Sequence, residues 1–373
     1  MPVAHALIEC AVPSSFRVAQ AAGMFDVPLA EKSRREFTVD VPEVEGDWRI
    51  GAIVGPSGSG KTTIARQAFG ESLYARRTWP ARHSILDAFP KRLSIQEITG
   101  TLTAVGFSSP PAWVRPYQFL SNGEQFRCDL ARALLTGGEL VVFDEFTSVV
   151  DRTVAKICSA AVAKAIRKQR AGAKRFVAVT CHYDILNWLT PDWVVDMATC
   201  QLARGCLQRP RIELEIVRCD RAAWRLFATH HYLSANLHRS SECFLATWGN
   251  YPVAFAAVLP AIGRVRHRRI SRLVVLPDFQ GVGIGRATLD AVADLKDRQG
   301  VRMSITTGHP AMMAALAQSP NWRLVAVEKT GGNIHNGRTQ GFTGQNLGSW
   351  GRAVARFRYW PARKATEGPR QGA

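Results

Sequence analysis

Two glycine-rich runs in this sequence have the residue types and spacing to hold phosphates. The first, Gly55-Pro56-Ser57-Gly58-Ser59-Gly60-Lys61-Thr62-Thr63, fits the spacing GxxxxGK[ST]. Its glycines allow backbone N–H groups to curl around an anion where a helix begins, an arrangement favoured by the positive end of the helix dipole. Lys61 is placed to reach β and γ oxygens, and the Thr62 hydroxyl to ligate Mg²⁺. Two further groups carry chemistry downstream: the carboxylates Asp144-Glu145 and the imidazole of His182. The second glycine run is Gln280-Gly281-Val282-Gly283-Ile284-Gly285-Arg286.

Each of these groups needs an element behind it. The apolar run Ile50–Val54 reads as a strand, the glycines as a loop, and residues 64–69 as a helix by their spacing. Leu140–Phe143 is a second strand, ending in the two carboxylates, and Phe176–Thr180 a third, ending near His182. Between them residues 154–168 are alanine-rich with periodic Ile and Val, a helix. Strands alternating with helices predict a mostly parallel sheet. A seam at residues 207–212, with Arg-Pro-Arg at its centre, is the expected boundary. Beyond it the pattern predicts helical residues 222–229, strands 243–248, 253–259 and 270–276, helix 286–296, strand 301–306 and helix 311–318. Residues 331–349 read as a long irregular loop and the chain after residue 363 as a disordered tail. The expected domains are residues 1–208, 209–361 and the tail 362–373.

The first region resembles ABC-type ATPases. Leu120-Ser121-Asn122-Gly123-Glu124-Gln125-Phe126-Arg127 is similar to the LSGGQ signature, residues 141–151 (VVFDEFTSVVD) to the Walker B strand with its D-loop, and residues 180–184 (TCHYD) to the switch-histidine segment, all in the family's order. The resemblance implies a head-to-tail homodimer with two ATP molecules between the phosphate loop of one subunit and Ser121, Asn122 and Gly123 of the other. It implies that Asp144 holds Mg²⁺, that Glu145 activates water and that His182 meets the γ-phosphate. Asn122 and Glu124 depart from the signature, and Phe146 replaces the usual proline. No glutamine stands where the glutamine loop is expected, near residues 84–87; Gln96 reads as the start of a helix, and Asp87 is the substitute. Phe16 and Phe25 are the candidates to stack on adenine, and the commoner role for either is as a core residue. The short interval from Lys61 to Leu120 leaves an abridged helical subdomain.

Residues 272–287 (RLVVLPDFQGVGIGRA) resemble the acyl-CoA motif of GNAT acetyltransferases, a strand, then [QR]xxGx[GA], then a helix. The resemblance implies that backbone N–H groups from Gly281 to Arg286, with Gln280, Val282, Gly283, Ile284 and Gly285, bind the pyrophosphate of acetyl-CoA. It also implies that the Val275–Leu276 backbone polarises the thioester carbonyl. Many members carry a catalytic tyrosine where Leu316 stands, so His309 is a candidate base, as are His230, His231 and Tyr232. Residues 231–234 (HYLS) are similar to the Mom-like branch that modifies bases in phage DNA. The expected fold is thus a P-loop ABC domain (α/β) followed by a mixed α+β GNAT domain.

Composition sets the partners. The net charge is +18 overall; residues 209–373 carry 24 Lys/Arg against 10 Asp/Glu, an excess of 14. Much of it lies in Arg264, Arg266, Arg268, Arg269 and Arg272, and in Arg352, Arg356, Arg358, Arg363 and Lys364. Such a surface attracts polyanions, nucleic acid among them. No apolar run is long enough to span a membrane. Eight scattered cysteines without a CxxC pair indicate neither a zinc site nor a disulfide scaffold, and suit the cytoplasm. These readings predict an ATPase coupled to an N-acyltransferase acting on nucleic acid or a component bound to it. The alternative is an ATP-binding subunit of a transporter-like assembly with an accessory GNAT domain.

Overall fold

The computed structural model describes residues 3–11, 15–24, 32–76, 78–168, 174–205, 209–231, 236–261, 263, 265–329 and 353–361. Phe25, Tyr232, the expected loop 331–349 and the expected tail lie outside them. The chain divides into two compact units that change over between Arg211 and Ile212, residues 108–111 grouping with the second.

The first unit opens with an antiparallel ribbon, β1 (Val3–Ala11) and β2 (Lys32–Asp40), with α1 (Phe16–Met24) between them in sequence. Its main sheet has β4 (Leu140–Phe143), β5 (Arg175–Thr180), β3 (Ile50–Val54), β6 (Trp193–Asp196) and β7 (Gln201–Arg204) in that order, parallel except for the β6–β7 hairpin. Strands β3 and β4, and β5 from Phe176 to Val179, are apolar throughout because both faces are covered. Ile50, Ala52, Val54, Val141 and Phe143 enter one cluster, whereas Ile53, Leu140, Val142 and Val179 enter the other. Helices α2 (Lys61–Phe69), α3 (Ile95–Ala104), α5 (Asn122–Thr136), α6 (Arg152–Lys168) and α7 (Leu186–Leu189) complete the unit, together with Ala112 and Trp113 of the short helix α4 (Pro110–Trp113). Ser94 and Ser121 cap α3 and α5, each in a reciprocal box with the glutamate three residues on. Gln96 accordingly lies in the first turn of α3.

The second unit is a seven-stranded sheet in the order β13 (Trp322–Lys329), β14 (Ala353–Tyr359), β12 (Arg302–Thr307), β11 (His267–Val275), β10 (Tyr251–Pro260), β9 (Glu242–Trp248), β8 (Glu215–Cys219). Every pairing is antiparallel except β11 with β12. Helices α8 (Ile284–Arg298) and α9 (Pro310–Ala317) bury Leu289, Val292, Ala293 and Leu316 against one face, with Phe244, Val258, Ile270, Met303 and Phe357. Trp224 and Phe227 pack with Phe255, Ala257 and Val274, residues that alternate with those of the first face on β10. The helical stretch expected over 222–229 forms as two 3-10 segments, Arg221–Leu226 and Ala228–His230. Among the described residues no helix is long and apolar enough to cross a membrane. Nor does any group of three His, Cys, Asp or Glu gather to hold a metal.

Candidate functional site

The phosphate loop begins where buried Val54 ends β3. Gly55, Gly58 and Gly60 take φ values of 155°, 75° and 84°, and Gly60 is the N-cap of α2. Left-handed turns there are open to glycine at little cost. At Gly55 space also decides: a Cβ would sit 2.7 Å from Ser59 Oγ and 2.9 Å from Met197 Cβ. Lys61 Nζ donates to the carbonyls of Gly55 (2.9 Å) and Pro56 (2.7 Å), so the ammonium lies across the loop. Ser59 Oγ is buried with no hydrogen-bond partner. An unsatisfied hydroxyl, a lysine on the loop and amides at a helix start fit a phosphate chain. Pro56, Ser57, Thr62 and Thr63 complete the loop and the first turn of α2.

Because β3, β4 and β5 run parallel, their carboxyl ends meet at one edge, bringing the loop, Asp144-Glu145 and His182 together. Glu145 and Thr147 hold φ at 53° and 69°, conformations strained for residues with a Cβ. The surroundings impose this. Phe146 N–H donates to Val179 O at 2.8 Å, Glu145 N–H to the Asp144 carboxylate at 2.8 Å, and the Ser148 hydroxyl to Glu145 O at 2.7 Å. Phe146, in place of proline, is fully buried among Phe126, Phe143 and Phe176. It thereby joins the signature helix α5 to the carboxylate turn.

His182 Nδ1 lies 3.1 Å from the hydroxyl of buried Thr147. Burial, followed by the Arg152 guanidinium, pushes its pKa below the ordinary histidine value, and the Asp184 and Glu145 carboxylates oppose this only in part. Arg152 is itself paired with Asp184, which also meets Lys156 at 3.7 Å. Sequence reading missed Thr147 and Arg152; their signal is distance from His182 in space, which the sequence does not show.

Ser121 caps α5, with Asn122 and Gly123 in its first turn, and the Glu124 carboxylate accepts from Ser121 N–H at 2.9 Å. Asp87, expected to replace the loop glutamine, is held in a turn with Ser84 (2.6 Å). A different residue approaches β4: Leu73 bridges Val142, and the Arg76 guanidinium lies 5.9 Å from the Phe143 ring, next to Asp144. Phe16 is 83% exposed. As a core residue it is corrected.

In the second unit, the parallel pairing of β11 and β12 stops at Ile270–Ile305 and the strands part. Leu276 N–H donates to Val253 O at 3.0 Å, so it is already committed to β10. Strand alternation then turns Val275 N–H the other way, toward the parting. This corrects the expectation that both residues polarise a thioester: only Val275 has its N–H on that side. Gln280 Nε2 donates to Val275 O at 3.0 Å and fixes the same edge. Gly281 and Gly283 take φ of 88° and 104°, and Gly283 caps α8. Gly285 passes so near β11 that a Cβ would lie 3.0 Å from Val275 Cγ2. Val282 and Ile284 are buried and anchor the turn. With its amides at the helix start, this turn fits a pyrophosphate. The Arg286 side chain is engaged by Asp290, Ala315 O and Ser319, leaving its backbone N–H for an anion.

His309 caps α9 just after β12, and burial pushes its pKa below the ordinary value. Leu316 is fully buried in the core, so the position of the missing tyrosine is filled by packing. His230 ends a 3-10 segment, and the His231 ring meets Trp224 at 5.8 Å.

Residues 208–317 match the model of the Acetyltransferase (GNAT) family. No curated protein matches the chain. Solved structures similar to parts of it include IAA acetyltransferase from Bacillus cereus, 18% identical, covering 39% of this chain and 98% of that one with a TM-score of 0.30. The ribosomal-protein-S18-alanine N-acetyltransferase from Escherichia coli is 18% identical, with 42% and 99% covered and a TM-score of 0.29. A bacterial ABC transporter cassette solved as a dimer is 15% identical, with 47% and 93% covered and a TM-score of 0.35. Residues 208–317 are thus similar to the GNAT acetyltransferase family, and the unit before them is a mixed α/β fold whose motifs resemble, in order, those of ABC-type ATPases.

Proposed function

We propose that this protein is an ATP-binding and ATP-hydrolysing ABC-type ATPase coupled to an acetyl-CoA-dependent N-acyltransferase, with a nucleic acid or a component bound to one as acceptor. The observation that carries the ATPase half is the convergence of the phosphate loop, Asp144-Glu145 and His182 on one edge of the parallel sheet. Phosphoryl transfer needs positioning and charge neutralisation more than covalent help. Lys61 and the loop amides bind phosphates, Thr62 and Asp144 hold Mg²⁺, Glu145 orients water, and neutral His182, set by Thr147, meets the γ-phosphate. Ser121, Asn122 and Gly123 complete the site of a second copy in a homodimer.

For the acyltransferase, the 280–286 turn binds the coenzyme pyrophosphate and Val275 N–H stabilises charge developing on the thioester oxygen. His309, kept neutral by burial, takes the acceptor proton. The excess of 14 positive charges in residues 209–373 supports a polyanionic acceptor.

The test is coupled. Purified protein is given ATP, Mg²⁺, radiolabelled acetyl-CoA and single-stranded DNA or RNA, and phosphate release, thiol release and label on the nucleic acid are followed. Label transfer that is lost in a Gly283→Val variant supports the reading. Thiol release without label on any nucleic acid rejects the acceptor. Absent phosphate release rejects the ATPase half.

A further inference from the structure

The second sheet has an arginine-bearing face that neither glycine turn uses. Strand register defines it. Leu259, Arg269, Ser304, Arg358 and Arg323 are directly paired in one row across β10, β11, β12, β14 and β13. Directly paired residues share a face. Their chain neighbours Ile270, Ile305 and Phe357 point into the core beneath α8 and α9, so this row lies on the opposite side. Flanking rows add His267 with Arg302, and Thr306 with Arg356. Arg269, Arg302, Arg323 and Arg356 are exposed and Arg358 is half-buried.

Among the described residues of β11, β12, β13 and β14 this face carries six arginines, Arg272 opposite Ala257 included, and one acid, Glu328, which meets Arg356 at 3.2 Å. Arg323 and Arg358 stand directly opposite one another, a like-charge pairing that disfavours the sheet unless an anion lies between. With strands spaced about 4.8 Å apart, the row from Arg269 to Arg323 spans roughly 15 Å. At its outer end Trp360 is 52% exposed, with the Arg323 guanidinium 4.6 Å from its ring centroid. At its inner end Arg269–Ser304 is the pair just before β11 and β12 part, the side to which Val275 N–H turns.

We infer that this face binds single-stranded nucleic acid, with phosphates along the Arg269–Arg358–Arg323 row and a base stacked at Trp360. The proposal rests on the nucleic-acid reading above and names the surface for it. A flat row of cations ending on an accessible aromatic ring suits a strand whose bases are free to stack. A duplex presents its phosphates but keeps its bases stacked inward, so it engages the row without the ring. The row then leads an acceptor strand toward the parting of β11 and β12.

The test is fluorescence anisotropy on the full chain with a labelled 20-nucleotide oligo-dT, at several salt concentrations. Wild type is expected to bind with a negative salt slope, and to bind a duplex of equal length more weakly. The double variant R323E/R358E is expected to lose about tenfold or more in affinity and to flatten the slope by about 1.4, two phosphate contacts' worth. W360A weakens single-strand binding while leaving the slope unchanged. R298E, on α8 at the opposite face, stays close to wild type. Salt-dependent wild-type binding that R323E/R358E leaves intact overturns this surface but spares the nucleic-acid reading. No wild-type binding even at low salt removes both. Displacement of oligo-dT by CoA alone assigns the arginines to the cofactor and overturns the proposal. Should R323E/R358E lose CoA affinity through misfolding, photocrosslinking of wild type to a 4-thiothymidine oligonucleotide decides. Adducts within residues 353–361 support the assignment, and adducts confined elsewhere refute it.

Discussion

At the scale of single residues, the candidate nucleotide site includes groups held in costly conformations. Glu145 keeps a positive φ because Phe146 is locked behind it, so the carboxylate is pre-aimed rather than recruited. Glu145→Gln should retain nucleotide and lower phosphate release by about 10²- to 10³-fold, the usual weight of a general base, in a phosphate-release assay. Arg152 holds down the pKa of His182 together with burial. Arg152→Gln removes a nearby cation and frees Asp184, so the His182 pKa should rise toward the ordinary value, as an NMR titration of its ring would show. The sign for stability follows. With its native pKa depressed, His182 contributes no penalty above the unfolded histidine pKa. As pH falls below that value the unfolded chain takes up a proton that the native state refuses, and stability declines until the native pKa is passed. Most of the motif residues were legible because backbone curvature and phosphate chemistry restrict the residue types. Thr147 and Arg152 were not, since a threonine and an arginine each have many common uses.

At the scale of elements, the buried parallel strands were plain because a strand covered on both faces must be apolar throughout. Ile50–Val54 and Leu140–Phe143 show this directly. Strands β1, β2, β6, β7, β8, β13 and β14 escaped the sequence reading. Nearly every residue of β13 is exposed, so no apolar face marks it, whereas β14 does alternate, Ala355, Phe357 and Tyr359 inward against Arg356 and Arg358, a signal that was overlooked. The segment beside β4 was hidden for a related reason. The bridge from Leu73 to Val142 is a contact between segments far apart in sequence, and it brings Arg76 rather than Asp87 beside β4. Within β3, Gly51 leaves room for the Trp193 ring, which would lie 2.0 Å from an added Cβ. Gly51→Ala should therefore overpack the sheet by about 1–3 kcal/mol. The expected drop in the melting temperature is several degrees, at about 2–4 °C per kcal/mol for a unit of this size. Calorimetry would check it.

At the scale of the whole molecule, the two glycine turns belong to different units and, on the proposed reading, take phosphates from different cofactors. The ATPase reading requires pairing of two copies, since in it Ser121 at the start of α5 completes the nucleotide site of a second copy. With ATP and Mg²⁺, Glu145→Gln should run at twice the monomer mass in light scattering, and Lys61→Ala should remain monomeric. Lys61→Ala should also lose about tenfold or more in nucleotide affinity, while its binding of acetyl-CoA stays unchanged in calorimetry.

One extra residue in β11 has a wide reach. Ala257 pairs with Arg272 and Val258 with Ile270, so Ser271 is left over, its hydroxyl tied to Ala257 O at 3.1 Å. Ile270 and Val274, four positions apart, consequently face opposite sides of the sheet. Removing Ser271 would reverse the parity of everything beyond it. Val274 would swing toward α8, and the amide now turned to the strand gap would be swapped for its neighbour's. On the proposed reading the oxyanion donor is chosen by counting, not by side-chain identity, and deleting Ser271, which has no catalytic role of its own, should silence acyl transfer.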